Sequence, residues 1–209
     1  MKWNRYYNAR ALYKILDSGV LPRLTTEPFS ANVNGKKMSF DRGTIVIPVS
    51  QRDANSTLTE DDIHNLMNDI ALENHVNIYA TNSASTPTGP DLGGAFQGLL
   101  KKPKVAILSG RGTSSYGVGE VWHLLNHRMH IPASLVDANN LSQRKLSHYN
   151  TLILADGNYT MLDSVDIKSI KDWNKEGGTL ITTGSASRWA VNKKLTTEKI
   201  KKNKQINLD

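Results

Sequence analysis

A turn of small residues near the end of the chain has the pattern of a serine nucleophile. The apolar run 179–183 is followed by Gly184, Ser185, Ala186 and Ser187. A serine on a sharp strand-to-helix turn attacks a carbonyl when a histidine accepts its proton and nearby N–H groups hold the oxyanion. Ser185 is therefore a weak candidate for the nucleophile of a small hydrolase or amidase. The elbow pattern needs a glycine two residues after the serine, and all six histidines precede Ser185, so a tight-turn role is favoured.

Two further loops carry glycine and polar residues directly after predicted strands. The strand 104–109 runs into a glycine-spaced segment, and the strand 151–155 runs into Asp-Gly-Asn-Tyr. Ligands bind outside the carboxyl ends of the strands in open parallel sheets, so these loops outline a candidate crevice. Asp156 or Glu120 would act there as an acid or a base if an apolar wall raised its pKa. The same residue types are typical of turns and helix caps, which is the favoured interpretation. The predicted ligand-binding residues are Gly110, Arg111, Gly112, Ser114, Ser115, Glu120, Asp156, Asn158, Tyr159 and Ser185.

Three histidines at helical spacing, His123, His127 and His130, have the arrangement of metal ligands on one helix face. Leu124 stands where the metalloprotease helix has its catalytic glutamate, and no ligand from another element is evident. The stripe is therefore interpreted as a solvated polar face, and neither a metal nor another cofactor is predicted for this chain. Binding of a trace metal by the stripe stays open.

The elements that would position these loops alternate between strand and helix. They are the strands 104–109, 132–136, 151–155 and 179–183 and the helices 116–129 and 163–175. Short apolar runs separated by amphipathic helices are typical of parallel strands joined by right-handed crossovers. Residues 99–192 are therefore predicted to form a doubly wound, mostly parallel α/β module.

A smaller α/β module is predicted for residues 1–80. Its expected elements are a helix over 4–17, a type I′ hairpin at Asn34-Gly35, a strand over 44–49, a helix after the N-cap Thr59, and a strand over 76–80. Residues 81–98 are rich in Ser, Thr, Pro and Gly and are predicted to be a linker. Residues 193–209 are predicted to be a basic tail.

Composition excludes several classes of partner and chemistry. The chain has 209 residues, 26 Lys and Arg against 19 Asp and Glu, and no cysteine. Much of the positive charge lies in the tail, which has no aromatic residue, so nucleic acid is not an expected partner. The lack of cysteine rules out disulfides, thiolate metal sites and cysteine nucleophiles. No apolar run approaches the roughly 20 residues of a membrane span, and the start has no signal core.

Several long blocks resemble the C-terminal region of bacterial carboxypeptidase A-like zinc peptidases, chiefly secreted ones. In the second half they are PKVAILSGRGTSSYGVGEVWHLLNHR, IPASLVDANNL, LSHYNTLILADGNY and IKDWNKEGGTLITTGSASRWA. In the first half they are WNRYYNARALYKIL, FDRGTIVIPV and VNIYATNSASTPTGPDLG. The resemblance spans nearly the whole chain, with the blocks in the same order.

The resemblance implies a class I glutamine amidotransferase-like domain with a flavodoxin-like fold. In such peptidases the zinc domain comes first and uses an HxxE pair and a later histidine. No histidine of this chain has a glutamate three residues on, so zinc is implied only for a peptidase domain outside the chain. Ser185 takes the place of the cysteine at the amidotransferase elbow, and enzymes of that superfamily have a histidine after it.

We therefore expect a non-catalytic accessory or binding region of a larger zinc carboxypeptidase-like protein, with both ends internal to that protein. The expected partners are the peptidase domain of the same parent chain and a peptide or other small ligand. The resemblance implies an extracellular or periplasmic location, although this chain carries no export signal. Two alternatives stay open: a hydrolase or amidase using Ser185, and a structural spacer that forms a homodimer.

Overall fold

The computed structural model describes residues 1–50, 52–53, 56–143 and 146–201. The chain divides into two compact units, Met1–Lys102 and Pro103–Asp209. Within the predicted basic tail, Lys202 and Lys204 lie outside the described residues. None of the described helices is long and apolar enough to cross a membrane.

The first unit combines two helices with two small antiparallel sheets. Its elements in chain order are α1 (Asn8–Asp17), β1 (Arg23–Thr25), β2 (Phe29–Val33), β3 (Lys36–Phe40), β4 (Ile45–Val46), α2 (Glu60–Asn74) and β5 (Gln97–Leu99). Strand β1 lies between β4 and β5 and pairs antiparallel with both. Strands β2 and β3 form the separate hairpin.

The hairpin confirms the turn predicted at Asn34-Gly35. Both residues have positive φ, 50° and 76°, as a type I′ turn requires. The register places Phe29 opposite Phe40, and their rings stack with centroids 5.0 Å apart. This aromatic pair packs with Ala31 and Val33 in an apolar cluster of the hairpin.

Helix α2 begins at the predicted cap, Thr59. Its hydroxyl accepts from the backbone N–H of Asp62 at 3.1 Å, and the Thr59 N–H donates to the Asp62 carboxylate at 2.8 Å. These reciprocal bonds form a capping box, which satisfies two N–H groups at the start of the helix. Helix α1 packs beside α2, where Arg10 Nε donates to the side-chain oxygen of Asn74 at 2.6 Å.

Two predictions for the first unit differ from the structure. Residues 76–80 form no strand, and the Val76 N–H donates to the carbonyl of Ala71 at the end of α2, at 3.1 Å. Only Ile45 and Val46 of the predicted strand 44–49 pair with a neighbour.

The segment 81–98, predicted to be a linker, lies within the first unit. The Ser30 N–H donates to the Thr88 carbonyl at 2.8 Å, and Thr26 N–H donates to that of Phe96 at 2.9 Å. Its last two residues belong to β5, which pairs with β1.

The second unit contains a four-stranded parallel sheet, which confirms the mixed α/β class predicted for the chain. Its elements are β6 (Val105–Ser109), α3 (Ser115–Trp122), a π-helical turn (His123–Arg128), β7 (Ala133–Asp137), two 3₁₀ segments (Ala138–Gln143 and Leu146–His148), β8 (Thr151–Leu154), α4 (Ser164–Lys175), β9 (Thr179–Thr182) and α5 (Ser185–Asn192). The strand order is β7-β6-β8-β9.

The main core of the second unit lies between the sheet and helices α4 and α5. Alternate residues of β6 and β8, including Leu108 and Leu152, face Ile170 and Trp173 of α4 and Trp189 of α5. Strand residues two apart point to the same face, which is why these positions share one core. On the other face, Val118 of α3 is also buried.

Candidate functional site

The loops after β6 and β8 meet at one edge of the parallel sheet. The chain leaves β6 to one side to form β7 and then returns past β6 to form β8. A reversal of this kind separates the two loops and commonly opens a ligand crevice between them. The predicted site residues from 110 to 115 and from 156 to 159 follow these two strands.

Here the two loops are joined by backbone hydrogen bonds. The Ser114 N–H donates to the Asp156 carbonyl at 2.9 Å, and the Asn158 N–H donates to the Gly112 carbonyl at 2.7 Å. Thr113 and Gly157 form an isolated antiparallel bridge between these bonds. We call residues 112–114 and 156–158 the loop tie.

Glycine makes the close approach in the loop tie possible. A Cβ on Gly112 would lie 2.5 Å from the carbonyl oxygen of Asn158, and Gly112 has φ of +86°. A Cβ on Gly157 would lie 2.9 Å from the carbonyl oxygen of Gly112. A side chain at either position would therefore push the two backbones apart.

Ser185 joins the start of α5 to the loop after β8 by hydrogen bonds. Its hydroxyl oxygen lies 2.5 Å from Asp156 Oδ1 and 2.7 Å from the carbonyl oxygen of Gly157, and it accepts from the Gly157 N–H at 3.1 Å. The Ser185 N–H also donates to Asp156 Oδ1, at 2.7 Å. These hydrogen bonds give Ser185 a positioning role in the turn between β9 and α5.

The Ser185 contacts also set the electrostatics of Asp156. The hydroxyl of Ser185, followed by its backbone N–H, holds the pKa of Asp156 below its ordinary value, because both bonds favour the carboxylate. A carboxylate with a lowered pKa is a weaker base. Asp156 is therefore poorly suited to remove the hydroxyl proton of Ser185.

The lowered pKa of Asp156 predicts an acid-sensitive contribution to the stability of the second unit. The contribution is fully present above the ordinary aspartate pKa of about 4 and is lost as the pH falls through the lower folded pKa. We expect Asp156→Asn to destabilise the second unit at pH 7, and the difference from wild type to shrink at acid pH. Urea unfolding followed by amide resonances of β6 and β8, at pH 7 and near pH 3, measures this difference.

The matched control is Asp62→Asn in the first unit, since the bonds from Thr59 also lower the pKa of Asp62. It should reproduce the acid-dependent difference in α2 and leave β6 and β8 unchanged. A difference between Asp156→Asn and wild type that stays constant with pH would contradict the electrostatic role of Asp156.

Tyr159 does not line the loop surface where the sequence placed it. Its side chain is fully buried beside Trp189, with ring centroids 5.6 Å apart, and its hydroxyl donates to the Ala155 carbonyl at 2.7 Å. Burial, followed by the charge of Asp156, raises the pKa of Tyr159 to about 12. Tyr159 is therefore a neutral core residue that anchors the loop after β8.

Other predicted site residues serve as caps and turns. The Ser114 hydroxyl accepts from the Gly117 N–H at 3.2 Å and so caps α3, while the side chain of Asn158 accepts from the Thr160 N–H at 3.1 Å. The side chains of Arg111 and Glu120 are exposed. These contacts agree with the turn-and-cap interpretation, which uses the same residue types.

A pocket of about 310 Å³ opens on the other side of the β6 loop, beneath α3 and beside β7. Of the predicted residues, Gly110 and Ser115 line it. Its further lining includes Val118, Trp122 and Leu135, which the sequence did not single out. Leu135 alternates with buried Val136 on β7, and 53% of its surface is exposed, which its apolar side chain does not indicate in the sequence.

The histidine stripe is altered by the π-helical turn. The predicted helix 116–129 is α-helical only to Trp122, and the π-helical turn stacks the rings of His123 and His127 with centroids 5.3 Å apart. His130 lies beyond the turn, with φ of 53°. In the described ranges, no group of three or more His, Cys, Asp or Glu residues is placed to hold a metal ion.

Comparison with known proteins gives no relative for this chain. No protein-family model, no curated protein and no solved structure matches it. Function is therefore inferred from the residues of the chain and the geometry they adopt.

Proposed function

We propose that this chain is a non-catalytic accessory region of a larger zinc carboxypeptidase-like protein. In that protein it packs on the peptidase domain or positions peptide substrate for it. The observation that carries the proposal is the set of hydrogen bonds that commits Ser185 to Asp156 and Gly157. The sequence blocks quoted above supply the link to the peptidases, and with it an extracellular or periplasmic location.

The strand order supports the finer part of this proposal, a flavodoxin-like domain similar to class I glutamine amidotransferases. The order β7-β6-β8-β9 corresponds to the first four positions of the flavodoxin-like order 2-1-3-4-5. Ser185 follows β9, on the turn that leads into α5. When the strands are matched in this order, Ser185 takes the position of the nucleophile elbow in the amidotransferase-like fold.

The chemistry at that turn favours a non-catalytic region over a hydrolase. A serine nucleophile needs a base that takes its proton and donors that hold the oxyanion. Among the described residues, the Ser185 hydroxyl hydrogen-bonds to a carboxylate with a lowered pKa and to the backbone of Gly157. The Gly157 N–H, which faces the serine, is already donating to the hydroxyl oxygen.

The pocket beneath α3 is the proposed place for a peptide segment in the second unit. Trp122, Val118 and Leu135 offer apolar contact, and Ser115 and the backbone of Gly110 offer polar groups. A mixed lining of this kind suits a short peptide, which carries both apolar side chains and backbone amides.

Kinetics of the parent protein test the proposal. The reading frame that encodes this chain should also encode a zinc peptidase domain with an HxxE pair. We expect removal of the present region to raise the KM for peptides about tenfold and to change kcat little, because a positioning region contributes to substrate binding. Ser185→Ala in the intact parent should leave both constants within about twofold, as should Ser187→Ala in the same turn.

Other outcomes point to the alternatives. A parent that keeps its kcat and KM without this region would make the region a spacer. Loss of an esterase or amidase activity in Ser185→Ala, with retention in Ser187→Ala, would establish the hydrolase instead. A frame without a zinc peptidase domain would overturn the proposal.

A further inference from the structure

The first unit contains an apolar cavity that the proposed function does not use. Its volume is about 170 Å³, and it lies among the hairpin β2–β3, helix α2 and residues 78–81. The lining residues Ala31, Val33, Ile45 and Ile63 are buried and belong to the core of this unit. The cavity therefore has a wall of hydrocarbon that is built into the fold.

Aromatic rings form one side of the cavity. Phe40 stacks on Phe29 and meets the ring of Tyr79 edge-to-face, with centroids 5.7 Å apart. Offset-stacked and edge-to-face pairs are the arrangements that aromatic rings prefer, and a further ring can join such a cluster. The wall thus matches a planar aromatic guest in both polarity and shape.

Polar groups line the cavity both inside and at its opening: Thr44 is buried, and the buried N-terminal amine of Met1 donates to the Ile45 carbonyl at 2.7 Å. His64 and Asn68 are exposed residues one helical turn apart on α2, and exposed Thr81 faces the same opening. No lysine, arginine, aspartate or glutamate side chain is among the described lining residues, but Lys2 Nζ lies 5.2 Å from the centroid of the Phe40 ring and 6.0 Å from that of Tyr79. A guest ring therefore meets hydrocarbon and aromatic groups inside the cavity, and a polar substituent is best placed at the opening.

The volume limits the guest to a single ring. Apolar cavities of about 150 Å³ stay dry and bind benzene, so a cavity slightly larger accommodates a ring with one small substituent. We propose that the first unit binds a six-membered aromatic ring carrying one hydrogen-bonding group, a phenol, with the ring in the cavity and the hydroxyl at His64 and Asn68. This proposal is independent of the function proposed for the second unit.

Titration of the full chain with p-cresol tests the proposal, followed by amide and methyl resonances. We expect saturable shifts confined to α2, the hairpin and residues 78–81, with a Kd of about 1 mM or lower for a ligand of this size. N-acetyltyrosinamide then identifies the source: binding equal to that of p-cresol indicates a tyrosine side chain, and weaker binding indicates a free phenol.

A substitution at the opening separates binding in the cavity from binding elsewhere. Ala80 lines the cavity and is exposed, so Ala80→Trp should block the opening and weaken p-cresol binding about tenfold. Ala84 is an exposed alanine four residues further on that does not line the cavity, and Ala84→Trp should keep the Kd within about twofold. An unchanged hairpin spectrum confirms that both variants fold.

Two results would overturn the proposal. The first is the lack of saturable shifts at about 10 mM p-cresol, a concentration well above the expected Kd. The second is wild-type affinity in Ala80→Trp.

Discussion

Trp173→Ala is expected to destabilise the second unit by about 3–5 kcal/mol, the usual cost of deleting a large buried aromatic side chain. Trp173 is 6% exposed and belongs to the core between the sheet and α4. Its indole N–H donates to the Tyr149 carbonyl at 3.0 Å, so the substitution also leaves that carbonyl without this donor. Urea unfolding followed by amide resonances of β6 and β8 measures the change in free energy of unfolding.

Val165→Ala on the same helix provides the matched control. Val165 is 57% exposed, so shortening its side chain should change the free energy of unfolding by no more than about 0.5 kcal/mol. Resonances of the hairpin in the first unit serve as an internal reference. Equal effects of the two substitutions would contradict the assignment of Trp173 to the core.

Gly112→Ala is expected to destabilise the second unit by about 2–4 kcal/mol, the sum of backbone strain and steric overlap. The added methyl group would overlap with the end of Met161 and approach the Asn158 carbonyl oxygen at 2.5 Å. Methionine is flexible and can move aside, but the backbone of the loop tie cannot do so without losing its hydrogen bonds. Amide exchange at Ser114 and Asn158 should therefore accelerate along with the loss of stability.

Gly119→Ala is the opposite case on the neighbouring helix α3. A Cβ at Gly119 would meet no atom within 4 Å, and Gly119 lacks the positive φ of Gly112. Alanine should stabilise the helix by up to about 1 kcal/mol, because it loses less conformational entropy than glycine. Destabilisation of similar size in both variants would show that the loop tie is not the cause.

Elements coded by short, local patterns are predictable from this sequence. The apolar run 105–108 predicts a strand buried on both faces, and β6 forms there. Thr59 and Asn34-Gly35 define a helix cap and a hairpin turn, because their chemistry acts within a few residues. The prediction of a parallel α/β sheet follows from the alternation of such elements.

Elements that depend on distant partners are not predictable in the same way. Strands β1 and β5 are three residues long, too short for a periodic pattern, and the register pairs Arg23 with Leu99. The serine- and glycine-rich composition of residues 81–98 does not reveal that they pack on Ser30 and its neighbours. Tertiary pairing gives this segment its structure.

The candidate crevice shows a similar limit. The ends of β6 and β8 locate the loops correctly, but their sequence does not tell whether the loops lie apart or pair. Gly112 and Gly157 have no Cβ, which allows two backbones to approach and form the loop tie. A loop rich in Pro, Gly or Ser at the end of a strand predicts where a ligand could bind. Whether a ligand can enter there depends on the contacts between the loops.

The loop tie has a consequence for how this protein tolerates change over evolution. Its two loop-to-loop bonds join main-chain groups, Ser114 to Asp156 and Asn158 to Gly112, so most side chains in these loops do not support them. Exposed Arg111 is therefore free to vary among descendants of the sequence, while Gly112 and Gly157 are constrained by the space they leave. Surface chemistry at this edge of the sheet can drift without loss of the fold.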